Sequence, residues 1–266
     1  MSKPAFIPWL RLPGLKTGLA LGLTLAAMSA QAAVIGADTD VFQDDRSAID
    51  FSGLTTGTVD PVYSAAPGAN APTVSFGSYF EGQSLATDGA CAAYSCFNGN
   101  PTAGLALNAA ADPVFSANAN NAPNNPVLSG SPATLGPISI LFSTDQAAVG
   151  VSVGYAQALG AERVTAFGRD GSILASIVND SIGFSFLTLA SDEASAEIAG
   201  IQITRTGETD SGFVLDSLLF GGPEQVNATR PTPPPASVPA PGNLALFAFA
   251  LGLVLIARRR ARDPAC

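Results

Sequence analysis

The chain has 266 residues, of which 47% are hydrophobic and 12% charged, with a formal net charge of −9. It contains no histidine. That excludes Ser-His-Asp and Cys-His nucleophilic catalysis, histidine-ligated zinc and the common general base near neutral pH, and leaves open carboxylate chemistry, chiefly glycoside hydrolysis or lysis by an Asp/Glu pair.

Residues 1–32 read as a signal peptide. Lys3, Arg11 and Lys16 make a positive n-region, and residues 18–28 an apolar h-region. Ala30-Gln31-Ala32 places small side chains at both positions that a signal peptidase reads, so cleavage is expected between Ala32 and Ala33. The h-region is short for a bilayer span, which needs about 20 apolar residues.

Residues 33–222 are long enough for one sizeable exported domain, and their texture is β. The looser first half offers strands at 48–51, 73–76 and 79–80. Cys91 and Cys96, with four residues between them, can close a small loop in an oxidising compartment. Residues 98–137 are rich in Asn, Ala, Pro and Gly with little periodicity, which predicts a functional loop or a mobile segment. Strands follow at 138–142 and 148–155. The latter alternates Val149, Val151, Val153 and Tyr155 against Gly and Ser, as a strand buried on one side does. Strands at 163–167 and 172–178 flank Gly168-Arg169-Asp170-Gly171, a hairpin turn in which Asp-Gly supplies the positive φ. Further strands fall at 182–189, 198–204 and 213–220. Turns this regularly spaced mark an all-β sandwich or barrel. A linker over 223–237 contains Pro231-Thr232-Pro233-Pro234-Pro235, which favours an extended, stiff chain.

Over residues 33–237 five arginines and no lysine face twenty Asp and Glu, leaving a formal charge of −15. Such a domain is repelled by nucleic acid and anionic lipid, so neither is an expected partner. It suits a soluble secreted protein and supplies carboxylates for calcium.

Residues 238–266 read as a C-terminal address. Val238-Pro239-Ala240-Pro241 precedes an apolar run over 244–257, then Arg258, Arg259, Arg260 and Arg262. The run covers about 21 Å of a roughly 30 Å hydrocarbon core as a helix, and the residues from Val238 extend it. The arginines would stay cytoplasmic and the preceding domain outside the inner membrane. This tail resembles the PEP-CTERM sorting signal of Gram-negative bacteria, a Val-Pro-Glu-Pro motif followed by a hydrophobic helix and an arginine cluster. Val238, Pro239 and Pro241 match, and Ala240 stands where the family has Glu. The resemblance covers only the tail. It implies a membrane-embedded cysteine transpeptidase, exosortase, as processing partner, and a place beside exopolysaccharide and biofilm production.

The exported domain also resembles the β-sandwich domains found ahead of this sorting tail, through Ile49-Asp50-Phe51, Val164-Thr165-Ala166-Phe167 with Asp170-Gly171, and Gly212-Phe213-Val214-Leu215-Asp216-Ser217-Leu218-Leu219-Phe220. The last phrase looks like the terminal strand of jelly-roll carbohydrate-binding modules. The resemblance implies a jelly-roll-like sandwich in which Asp216, with Asp50 or the acids Asp38, Asp40, Asp44 and Asp45, would ligate a structural calcium. Glycan platforms would come from Tyr63, Tyr79, Phe80, Tyr94, Phe97 and Phe115 in the loop-rich half. The acid pairs Asp192/Glu193 and Glu208/Asp210 read as solvated turn residues. Nothing sets two carboxylates across a cleft, so no catalytic residue is expected. The function expected is that of a surface-anchored, non-catalytic protein of the exopolysaccharide matrix, with a calcium-stabilised carbohydrate-binding module and a polysaccharide hydrolase or lyase using Asp/Glu carboxylates as the alternatives.

Overall fold

A computed structural model describes residues 33–64, 72–86, 97–119, 122–132, 134–206 and 212–228. Ala32, Cys91, Cys96, Val238, Pro239, Ala240, Pro241, Arg258, Arg259, Arg260 and Arg262, and with them the expected anchor helix, lie outside the described residues. Among the described residues no helix is long and apolar enough to cross a membrane.

The first half of the described chain carries β1 (Val34–Ala37), β2 (Ser47–Asp50), β3 (Val62–Tyr63), β4 (Val74–Gly77), β5 (Ser84–Leu85), β6 (Phe97–Asn98), β7 (Phe115–Ala119) and β8 (Ala122–Ser129). The second half carries β9 (Ile138–Gln146), β10 (Ala148–Ala156), β11 (Glu162–Phe167), β12 (Ile173–Val178), β13 (Gly183–Ser191), β14 (Ile198–Arg205) and β15 (Val214–Gly221). The front sheet has the order β1-β13-β10-β15-β8-β7, with β2 also paired to β15. The back sheet has the order β12-β11-β14-β9-β4-β3, and β5 and β6 form a small ladder of their own. The pairings are antiparallel. From β9 onward the chain passes from one sheet to the other at every step except the β11–β12 hairpin.

Alternation along each strand builds the core. Val149, Val151 and Val153 of β10, Leu187 and Leu189 of β13, and Leu218 and Phe220 of β15 face Ile138, Ile140 and Phe142 of β9 and Ile201 and Ile203 of β14. The rings of Phe142 and Phe220 meet between the sheets at 5.3 Å. This is the interdigitated packing of aligned sheets. The expected hairpin turn is present: Gly171 has φ +82°, Gly168 N–H donates to the Ser172 carbonyl at 2.9 Å, and the Asp170 carboxylate accepts from Ser172 N–H at 3.0 Å.

The chain also covers part of the outside of the back sheet, over β9, β14 and the end of β11. Phe80 and Leu105 pack on Phe167 and Ala199. Gln83 and Gln202 exchange side-chain amide bonds at 3.2 and 3.0 Å, and Gln202 Nε2 also donates to Ser139 Oγ at 2.8 Å. One end of the front sheet is covered too, where Val41, Phe42 and Val226 close over Ala148 and Ala190. Gln43 N–H donates to the Gln225 carbonyl and Asn227 N–H to the Val41 carbonyl, which pins this cover.

Several expectations change. Residues 79–80 form no strand; Phe80 makes an isolated bridge with Leu107, because it is used to cover the back sheet. The segment 98–137 holds the β7–β8 hairpin, whose weak pattern reflects small and polar residues. Tyr155 does not continue the inward face of β10: the ladder to β13 shifts between Val153 and Ala156, and Tyr155 takes φ +74°. The fold continues past Gly222 through the 3-10 turn Pro223–Gln225 to buried Val226, so the first residues read as linker belong to it.

Candidate binding face

The uncovered half of the front sheet is unusual in what it leaves bare. On β13, Leu187 and Leu189 enter the core, so Phe184 and Phe186 point outward, 51% and 37% exposed. Both rings reach over glycines of β10. A Cβ at Gly150 would stand 2.6 Å from Phe186 Cε1, and one at Gly154 would stand 2.4 Å from Phe184 Cε1. The rings therefore lie down on bare backbone. The Tyr155 ring meets Phe184 edge-on at 5.5 Å. Its φ of +74° is costly for a bulky residue, and the β-bulge there is what re-aims it.

A polar row continues from this aromatic strip. Ser152 pairs with Phe186 on one side and Ser217 on the other, and Ser217 pairs with Asp50. Directly opposed residues share a face, so Phe186, Ser152, Ser217 and Asp50 form one line across four strands, about 14 Å long at the usual strand spacing. Beyond it, Asp50, Ser52, Leu54, Tyr63, Ser217 and Leu219 border a groove of about 560 Å³. Desolvation, and then the nearby Asp50 charge, raise the Tyr63 hydroxyl above its ordinary pKa.

The two acids expected to hold calcium are placed close together in sequence register. Asp50 lies opposite Ser217, next to Asp216. Asp216 is the extra residue of a bulge, since Ser152 pairs with Ser217 and Val153 with Leu215. Asp50 Oδ1 accepts from Ser52 Oγ at 2.6 Å and from Ser52 N–H at 3.3 Å. Calcium takes six to eight oxygen ligands. Among the described residues no three acidic or cysteine side chains gather to hold a metal, so these two carboxylates do not by themselves make up such a set.

Of the six aromatics expected as glycan platforms, Tyr63, on the back-sheet edge strand β3, borders the groove beside Asp50. Phe80 is fully buried. Tyr79 and Phe97 pair with each other at 6.2 Å, Phe115 is half-buried on β7, and Tyr94 lies outside the described residues. The residues that form the strip, Phe184, Phe186 and Tyr155, carried a signal in the sequence. The run Phe184-Ser185-Phe186-Leu187-Thr188-Leu189 is apolar on both faces, and β10 beside it has Gly at 150 and 154.

The acids behave as local partners. The Asp192 carboxylate accepts from Ala33 N–H at 2.8 Å, while Glu208 and Asp210 lie outside the described residues. Glu162 was not singled out by its pattern, yet it is 2% exposed, and its Oε2 has no hydrogen-bond partner among the described residues. Burial pushes its carboxyl up to about 7, against the opposing pull of Arg205 across the β11–β14 ladder. The described arginines avoid the open half of the front sheet: Arg163 and Arg205 sit on back-sheet strands, Arg169 pairs with Asp145, and Arg46 bonds the Gln43 carbonyl ahead of β2.

Comparison with known proteins finds no family model that matches this chain and no curated protein similar to it in sequence. Fold and face together define an all-β sandwich of antiparallel sheets, one outer face covered in part by its own chain and the other bearing an aromatic strip with a row of hydroxyls and a carboxylate.

Proposed function

We propose that the chain is an exported, surface-anchored, non-catalytic protein of the extracellular polysaccharide matrix of a Gram-negative bacterium, and that it holds glycan on the open half of its front sheet. The observation that carries this reading is the exposed pair Phe184 and Phe186, lying on Gly154 and Gly150 of the neighbouring strand. Flat exposed rings beside hydroxyls and a carboxylate match the alternating apolar faces and hydroxyl edges of a sugar chain. An exposed apolar patch of this kind marks a contact surface. The absence of basic side chains from this half among the described residues favours a neutral or amino-bearing polysaccharide over a uronate polymer.

A jelly-roll-like architecture is supported by the strand order. The sets β2-β15-β10-β13 and β9-β14-β11-β12, with the chain alternating between them, follow the double Greek-key pattern. Residues 1–32 would direct export. The tail from Val238 would hold the protein at the inner membrane until an exosortase-like transpeptidase acts on it. No structural calcium is assigned.

The test is affinity electrophoresis of the exported protein through gels containing polysaccharide from the producing cells. Retardation is expected, and the double variant Phe184→Ala/Phe186→Ala should lose it with an unchanged far-UV circular dichroism spectrum. Unretarded migration of the wild type in that polysaccharide and in neutral and amino-sugar glycans would overturn the reading.

A further inference from the structure

The edge strand β1 begins one residue after Ala33, and Ala33 is held at both of its backbone groups. Its N–H donates to Asp192 Oδ1 at 2.8 Å, and its carbonyl accepts from the Asp192 N–H, also at 2.8 Å. This reciprocal pair extends the β1–β13 ladder, in which Val34 lies opposite Ser191. Asp192 itself is 7% exposed. The turn that follows also carries Glu193 and Glu197.

Ala33 is also the residue that becomes the first of the chain if the signal peptide is removed where its small residues direct. We propose that Asp192 is a receptor for the new N-terminus: hydrolysis of the Ala32–Ala33 bond converts a peptide N–H at Asp192 into an ammonium, and a hydrogen bond into an ion pair. The C–N bond breaks as water gives its oxygen to the Ala32 carboxylate and both of its protons to the Ala33 nitrogen, which leaves as an ammonium, so the step balances without a further reactant. The inference rests on the export reading given above.

Its consequence is local and specific. β1 is the outermost strand of the front sheet, and β13, which it covers, carries Phe184 and Phe186. A bond between an ammonium and a carboxylate is stronger than one from a neutral amide. Processing would therefore fasten the edge strand beside the aromatic strip, and it would do so only in the exported form. An edge fastened in this way is also less open to pairing with another chain.

The experiment uses the full chain exported by the producing cells. N-terminal sequencing of the recovered protein is expected to begin at Ala33. A second form with Gly-Ser inserted between Ala32 and Ala33 displaces the amine from Asp192. Its thermal midpoint should fall by about 2–4 °C. In an Asp192→Asn background the insertion should leave the midpoint unchanged, whatever Asp192→Asn costs alone. A start other than Ala33 would overturn the cleavage assignment. A correct start with equal midpoints for the two forms would overturn the receptor role while leaving export intact.

Discussion

Phe184 lies on Gly154 so closely that a methyl group on that glycine would meet the ring at 2.4 Å from Cε1 and 2.5 Å from Cζ. Gly150 stands in the same relation to Phe186. The glycines of β10 are thus the floor that lets two aromatic rings lie flat on an open sheet. Gly154→Ala should lift the ring from its seat, cost about 1–3 kcal/mol by overpacking, and weaken glycan retention. Retention unchanged in Gly154→Ala would show that the flat placement of Phe184 is not what binds.

The exposed rings should differ from the buried ones in a stability assay. Phe142 lies at the centre of the sandwich against Phe220, and Phe142→Ala should cost about 3–5 kcal/mol. Phe186→Ala should change stability by less than about 1 kcal/mol, because the side chain is already part-solvated. Urea denaturation of the two variants beside the wild type checks both figures.

Gln202 joins the back sheet to its cover through Gln83 and also bonds Ser139 on the neighbouring strand β9. Gln202→Leu keeps the size of the side chain but leaves buried amide and hydroxyl groups without their partner. A cost of about 1–3 kcal/mol is expected. Amide hydrogen exchange should localise the loss to Phe80, Gln83 and their neighbours rather than to the core strands.

Stability should depend on pH through Glu162. Its carboxyl is raised from an ordinary 4.5 to about 7, first by burial and with Arg205 acting in the opposite sense. Between those values the folded protein keeps a proton that the unfolded chain releases. Stability is therefore greatest below about pH 4.5 as far as this group is concerned, falls as the pH rises to 7, and levels off above it. After allowance for solvent screening the total is about 1–2 kcal/mol. In Glu162→Gln this fall should disappear from a series of denaturation curves across the same range.

Strand alternation and turn chemistry were enough to place most of the second half of the chain. Val149, Val151 and Val153 mark the inward face of β10, and Asp170-Gly171 marks the turn between β11 and β12. Alternation failed at Tyr155, because a bulge is an extra residue and has no periodic signature. It failed again at Phe80, where an aromatic residue in a loop-like segment serves a second, smaller core. β1 escaped notice because its four residues Val34–Ala37 include a glycine and an alanine and owe their extended form to pairing with β13. The aromatic strip was missed for a related reason. Phe184 and Phe186 are outward only because Leu187 and Leu189 take the core, and their flat seating depends on glycines some thirty residues earlier in the chain. The run from Phe184 to Leu189, apolar on both faces, marks the rings along β13, but their seating on glycines is a relation between strands.

β15 enters the front sheet beside Gly154 and leaves it beside Ala148, where Val226 is buried with Phe42 and Ala190. The chain thus departs from the end opposite to the aromatic strip. A pull on the residues after 228, against a load held at Phe184 and Phe186, would run lengthwise along β15. Its ladders with β10 and β2 would then be sheared with their hydrogen bonds loaded together, whereas the Phe42–Val226 bridge and its cover would peel one bond at a time. The small cover over the front sheet is in mechanical terms a fuse, which opens before the strand that carries the tension.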